Sequence, residues 1–236
     1  GIRDLDRAIR QLVDYKLFTS PEQAKFQIEL QDLAGCLGPK PLPRGNLIKE
    51  NIAGVAMALA VTGGGSGLAF SVQSVIVPGE ELTITGLARE CVVDSVKLAR
   101  TYIRTHYLSG KNFGLHLHFG EGSVPKDGPS AGVSIFMSIL SALFQTPIAT
   151  NTAYTGEIDL QGYIFPVGGI RAKIQAAERY GCSRVFIPAE NYIRLTDEER
   201  EGLSVHIIPV RHISEVADTV LPRLAERQAS KQVSRL

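Results

Sequence analysis

At the start of the chain apolar residues recur at helical spacing: within "DLDRAIRQLVDYKL", Leu5, Ile9, Leu12, Val13 and Leu17 share one face. Ser20 and Pro21 make a good cap and first-turn pair for a second short helix. The periodicity stops in "GCLGPKPLPRGN", Gly35 to Asn46, where three prolines and three glycines predict a linker. Beyond it the pattern changes to strands. "GVAMALAV" and "GLAFSVQSVIV" flank the turn "TGGGSG", Thr62 to Gly67, the signature of a β-hairpin, and "ELTITG" predicts another short strand. Helical spacing returns from Leu87 to Tyr107 through Val92, Val93, Val96, Leu98 and Ile103, and "GLHLHF" then predicts a strand. "AGVSIFMSILSAL", Ala131 to Leu143, is too short and too broken by serines to span a membrane, so it predicts a core helix. "AYTGEIDLQGYIFPVGG" predicts a second hairpin, a helix follows from Ile170, and short strands and helices alternate to the end. This order of elements points to an α+β (mixed α/β) domain.

Composition narrows the function classes. The 236 residues can bury a sizeable core, as one large domain or as one domain with a small appendage. Lys+Arg (25) nearly balance Asp+Glu (24), so there is no global pull toward nucleic acid or an anionic membrane, and any basic site must be local. Cys36, Cys91 and Cys182 lie far apart among apolar neighbours without C-x-x-C spacing, which reads as buried thiols in a reducing compartment. "GIRDLDRAIRQL" is charged throughout and lacks the apolar stretch of a secretory signal, so a soluble protein is expected.

The chemistry concentrates in "EGSVPKDGPSAGVSIFMSIL", where a glycine- and proline-rich turn runs into the apolar helix. Ser130 there could be a nucleophile, part of an anion-binding loop or a helix cap. A serine hydroxyl needs a base, and no histidine–carboxylate arrangement is obvious. In "IRAKIQAAERYG", Ile170, Lys173, Ile174 and Ala177 fall on one side of the helix, with Arg171, Gln175, Glu178 and Arg179 on the other. Burial of Lys173 would lower its pKa and suit it to act as a base; the competing reading is a lysine at the edge of that face, snorkelling to water. His116 and His118 alternate with Leu115, Leu117 and Phe119, so the two histidines share one strand face. An H-x-H pair without a third ligand argues against metal and for polar residues lining the site cleft. Lys126 is expected to face solvent or substrate. A phosphate-binding P-loop is absent, since "TGGGSG" lacks the lysine and the following helix.

"PKDGPSAG", Pro125 to Gly132, followed by "TGEIDLQGYIFPVGGIRAK", Thr155 to Lys173, resembles the proteolytic domain of the soluble, ATP-dependent Lon proteases. The resemblance runs from about Asn46 to about Leu221 and includes "VPGEELTITG" and "VFIPAENY". It implies a Ser–Lys dyad, with Ser130 as nucleophile and Lys173 as general base. Thr155 is implied to support the lysine by accepting its hydrogen bond. Gly128 and Pro129 would shape the turn, whose backbone N–H groups would form the oxyanion hole. His118 and Glu157 are further neighbours of the site. Asp127, which beside the lysine would raise its pKa, is expected to gate an inactive arrangement. Two departures stand out: "GGIRAK" keeps the last lysine but changes the residues before it, and Gly120 replaces a usual proline.

The implied organisation is a remnant of the helical ATPase subdomain with its linker over residues 1–45, the proteolytic domain over 46–224 and a tail over 225–236. Arg3 aligns with a nucleotide-sensing arginine of the full-length enzyme. The expected cofactors are none in this fragment, with ATP and Mg for the full-length protein. The expected partners are unfolded protein or peptide substrates and a homohexameric ring, with DNA possible but unsupported and no membrane. The expected place is the cytoplasm, the mitochondrial matrix being the alternative. Two other classes stand beside the protease: a nucleotide-binding domain like the GHMP kinases, whose loop carries two serines where this turn has one, and a noncatalytic scaffold.

Overall fold

The computed structural model describes residues 2–19, 22, 25, 27–37, 50–120 and 128–222. The chain divides into two compact units, Gly1–Pro43 and Arg44–Leu236. In the first, helix α1 (Ile2–Thr19) packs against α2 (Leu30–Leu37). Lys16 reaches from α1 to the Asp32 carboxylate at 3.2 Å and the Gln27 carbonyl at 2.7 Å. The Glu29 backbone N–H, then Lys16, hold the Asp32 carboxyl below its ordinary pKa. The predicted cap pair Ser20-Pro21 and the linker from residue 38 onward lie outside the described residues.

In the second unit the predicted hairpin forms as β1 (Val55–Val61) and β2 (Gly67–Val77), paired antiparallel from Val55↔Gln73 to Val61↔Gly67. β3 (Leu82–Thr85), helix α3 (Glu90–His106) and β4 (Gly114–Phe119) follow. Then come α4 (Gly132–Phe144), β5 (Thr152–Tyr154), β6 (Glu157–Ile158), β7 (Ile164–Phe165) and α5 (Ile170–Arg179). β8 (Arg184–Pro188), α6 (Ala189–Ile193), α7 (Asp197–Glu201), β9 (His206–Val210) and α8 (Ile213–Val220) complete the described residues. The main sheet has seven strands in the order β3-β4-β2-β1-β5-β8-β9 and is mostly parallel, with β2 antiparallel to both neighbours. It is a mixed α/β fold.

Alternation along each strand sends successive side chains to opposite faces, and both faces are covered. Ala56, Phe70, Val72, Leu117, Tyr154 and Phe186 meet residues of α3, α4 and α8 on one side. Met57, Leu59, Ala69, Ala153, Val185 and Ile187 meet Ile174 and Ala177 of α5 on the other. A helix–sheet–helix stack is the layered solution for strands that are apolar on both faces.

Helix α4 is buried on every side from Gly132 to Ala142. Its serines satisfy themselves: Ser134 donates to the Ala131 carbonyl at 2.8 Å, and Ser138 to that of Ile135 at 3.0 Å. Ser141 donates to the Thr146 carbonyl at 2.6 Å and accepts from Gly54 N–H at 2.9 Å. Buried hydroxyls cost little once bonded, so a core helix can carry them. No described helix is long and apolar enough to cross a membrane.

The second predicted hairpin splits. β5 joins the main sheet between β1 and β8, and only β6 and β7 pair as a separate two-stranded ribbon. All three residues of β5 are buried, so it shows no polar alternation by which a central strand could be told from the ribbon beside it.

The Tyr154 hydroxyl is a buried polar atom without a partner among the described residues. Tyr154 is fully buried and stacked on Phe186 at 5.3 Å, and its hydroxyl makes no hydrogen bond. Removing an unbonded buried hydroxyl removes a desolvation cost, so Tyr154→Phe should leave stability unchanged or raise it by about 1 kcal/mol. Urea denaturation measures this; a loss of similar size would mean that the hydroxyl is bonded after all.

Candidate active site

The turn before α4 is shaped by two residues. Gly128 sits at φ 117° and ψ 145°, a conformation open to glycine, and Pro129 begins the single 3-10 turn Pro129–Ala131 that leads into α4. Ser130, half-buried, lies at its centre. The Ser130 carbonyl accepts two hydrogen bonds, from the Thr155 hydroxyl at 3.1 Å and from Gly156 N–H at 2.9 Å. Val133 N–H donates back to the Gly156 carbonyl at 3.2 Å, so the β5–β6 connection braces the serine turn. Thr155 is fully buried, with its own N–H on the Phe186 carbonyl of β8 at 3.0 Å. The hydroxyl expected to accept from the lysine amine thus donates to the serine backbone.

Lys173 enters from α5. The helix turns Ile174, Ala176 and Ala177 into the core, and the lysine shares that face with only 3% of its surface exposed. Burial alone lowers its pKa from 10.5 to about 8. Among the described residues its amine has no hydrogen bond or ion pair. Glu157 shares a cavity with Lys173 without pairing to it, so this carboxylate does not restore the lysine's charge.

That cavity, of about 750 Å³, contains Ser130 and Lys173 together, with Gly128, Pro129 and Glu157. Its apolar wall comes from Leu59, Val61, Leu68, Phe70 and Val92, and its rim from Thr62 and Gly63 of the β1–β2 turn and from Pro166, Val167 and Gly168. Arg89, just before α3, also faces it. The size suits a bound segment of substrate in a mostly apolar cleft. Arg89 carries no signal in the sequence, and "TGGGSG" reads there as a hairpin turn without a place in the site; no local pattern marks a residue as facing a cavity assembled from distant segments.

Other predicted site residues lie elsewhere. His118 does not line this cavity: its Nδ1 is 2.8 Å from the Thr85 hydroxyl, while His116 Nε2 is 3.3 Å from the same oxygen. Both rings project on the sheet face opposite Leu115, Leu117 and Phe119, which sit in the α3–α4 core. No group of three or more His, Cys, Asp or Glu among the described residues could hold a metal. Lys126 and Asp127 lie outside the described residues, and Arg3 lies in α1 with its side chain outside them.

A serine at the head of a buried helix and a desolvated lysine thus open into one apolar cleft on a mixed α/β scaffold. Residues 27–223 match the family profile described as the Lon protease (S16) C-terminal proteolytic domain, and the chain belongs to that family. It is 35% identical over 235 aligned positions to the Lon protease of Anaeromyxobacter dehalogenans, covering 94% of this chain and 28% of that protein. It is 34% identical over 224 positions to Lon protease 1 of Thermus thermophilus, covering 88% of this chain and 28% of the relative. The Lon protease of Dictyoglomus thermophilum is 32% identical, with coverage of 100% and 31%. The chain thus spans less than a third of the length of these relatives.

Proposed function

We propose that the chain is a serine endopeptidase working through a Ser130–Lys173 dyad. The observation that carries this reading is the desolvated Lys173 amine, brought to about 8, in the same cavity as Ser130. An amine with that pKa is substantially neutral near pH 8 and can take a hydroxyl proton, which a free lysine cannot. The Ser130 hydroxyl transfers its proton to Lys173 as its oxygen bonds the peptide carbonyl carbon. Collapse of the tetrahedral intermediate breaks the C–N bond, the ammonium returns the proton to the leaving amine, and an acyl-enzyme remains. Water, deprotonated by the same lysine, then releases the acid and restores the serine. Developing charge on the carbonyl oxygen would be met by backbone N–H groups at the start of α4, where the helix dipole favours an anion.

In this reading Thr155 supports the dyad through the Ser130 backbone, Gly128 and Pro129 shape the turn, and Glu157 faces bound substrate. Asp127 gates an inactive arrangement, and His118 acts at most from outside the cavity. The larger protein would be ATP-dependent, with ATP and Mg bound outside this chain. Residues 1–45 would be the end of the helical ATPase subdomain, carrying Arg3 as nucleotide sensor; 46–224 the proteolytic domain; and 225–236 a tail. Its substrates would be unfolded or damaged proteins, its assembly a hexamer and its place the cytoplasm.

The direct test is hydrolysis of an unstructured fluorogenic polypeptide without ATP, by the parent and by Ser130→Ala. Cleavage by the parent that falls at least about 10³-fold in the variant is expected. Equal rates in both would sink the assignment of Ser130.

A further inference from the structure

Pro129 has no N–H, so Gly128 carries the last backbone donor upstream of Ser130 by which the turn can be tethered. That N–H points at the Cys91 sulfur, 2.9 Å away. A side chain built on Gly128 would meet no atom of the described residues within 4 Å, so the contact that the structure gives this residue is the N–H to the sulfur. Cys91 itself is well placed to act as an anchor. It lies in the first turn of α3, a helix fixed to the core by Val92, Val96, Ala99 and Ile103, and its neighbours Arg89 and Val92 line the cavity that holds Ser130.

We propose that Cys91 is a positioning residue for the nucleophile, holding the Gly128 N–H through its sulfur so that Ser130 is presented to the cavity. The inference rests on the reading of Ser130 as nucleophile. On the downstream side the Ser130 carbonyl is held by Thr155 and Gly156, at 3.1 and 2.9 Å. On the upstream side the tether among the described residues is the thiol. A turn held from both sides fixes how the serine is presented to the cavity it shares with the lysine, and displacement by about 1 Å is enough to slow such chemistry a hundredfold.

The test compares Cys91→Val, a somewhat larger apolar residue that lacks the acceptor, with Cys91→Ser, whose hydroxyl can accept from the same N–H. Both are made in a Cys36→Ser background, because Cys36 is half-exposed; Cys182 is buried and its thiol is pushed up to about 11, so it reacts slowly. With the unstructured fluorogenic polypeptide, Cys91→Val should lower kcat by about ten- to a hundredfold while KM and the pH of half-maximal rate stay put. Cys91→Ser should recover most of the loss. Methyl methanethiosulfonate, which caps the thiol reversibly, should silence the Cys91 enzyme until a reductant is added and leave Cys91→Ser unaffected. Cys91→Val at the parent rate, or Val and Ser variants equally slow, would overturn the proposal, the latter by assigning Cys91 a packing role. An inactive parent overturns the Ser–Lys reading and this inference with it, whereas an active parent with an indifferent Cys91 overturns the inference alone.

Discussion

Lys173→Met is expected to abolish peptide hydrolysis and at the same time make the folded chain more stable. Methionine fills the space of the lysine stem without its charge, so the apolar surroundings of α5 are kept. Losing the base should cost at least about 10³-fold in kcat. The stability gain follows from the pKa, lowered from 10.5 to about 8 by burial. Below about 8 the lysine is protonated in both folded and unfolded chains, and the fold bears the full cost of an ammonium out of water. Between 8 and 10.5 the unfolded chain still binds the proton while the folded one has released it, so stability rises with pH across that window. Above 10.5 the amine is neutral in both states and the cost is gone. At pH 7 the cost is on the order of 3 kcal/mol, from the size of the shift. Urea denaturation of parent and variant at pH 7 should show Lys173→Met as the more stable, with the gap shrinking as pH rises from 8 toward 10.5. The parent rate should rise with pH through about 8 and level off above it. A variant no more stable than the parent at pH 7, or a rate flat through that window, would mean that the amine is paired and charged in the working enzyme.

Gly67→Ala should be strongly destabilising to the second unit. A Cβ on Gly67 would run into the Ala172 carbonyl and come within 2.9 Å of the Ala176 methyl. Gly67 is where β2 meets α5, and its own carbonyl accepts from Arg179 at 2.8 Å, so strand and helix are locked at contact distance. Backbone cannot give way as a flexible side chain can, so a loss of about 3 kcal/mol or more is expected, at the upper end of overpacking costs. Ala172 precedes Lys173, so displacement of α5 should also reduce hydrolysis. Gly64→Ala in the same turn is the control: its Cβ would meet nothing nearer than the Thr62 hydroxyl at 4.0 Å, and its midpoint in urea should stay close to the parent's. Equal effects of the two substitutions would mean that the turn, and not the β2–α5 contact, sets the stability.

How far the residues alone reach depends on the range over which each feature is decided. β1, β2 and β4 follow from alternation and a glycine turn, and α3 and α5 from apolar spacing, all within a dozen or so residues. α3 begins at Glu90, three residues later than its pattern suggests, with Arg89 left extended as its N-cap. The three-residue β5 is too short for any period to register, and its place between β1 and β8 is a matter of long-range pairing. At the site, the amphipathic pattern of α5 puts Lys173 on the apolar face, and the structure buries it there. Alternation likewise puts His116 and His118 on one strand face, but only the stacking of layers decides that the cavity opens elsewhere.

The features legible in the residues are therefore local: the elements, the serine at the head of α4, the lysine on the inward face of α5 and the membership of a peptidase family carried by those motifs. Packing alone brings the two into one cavity, sets the Thr155 hydroxyl on the serine backbone, and adds Arg89 and the β1–β2 turn to the lining. It also decided that the Cys91 sulfur meets the Gly128 N–H, across 37 positions of chain. The reason is physical. Periodicity records which face of an element avoids water, whereas the partner of a hydrogen bond and the desolvation of an amine are set by atoms that distant segments bring together on packing.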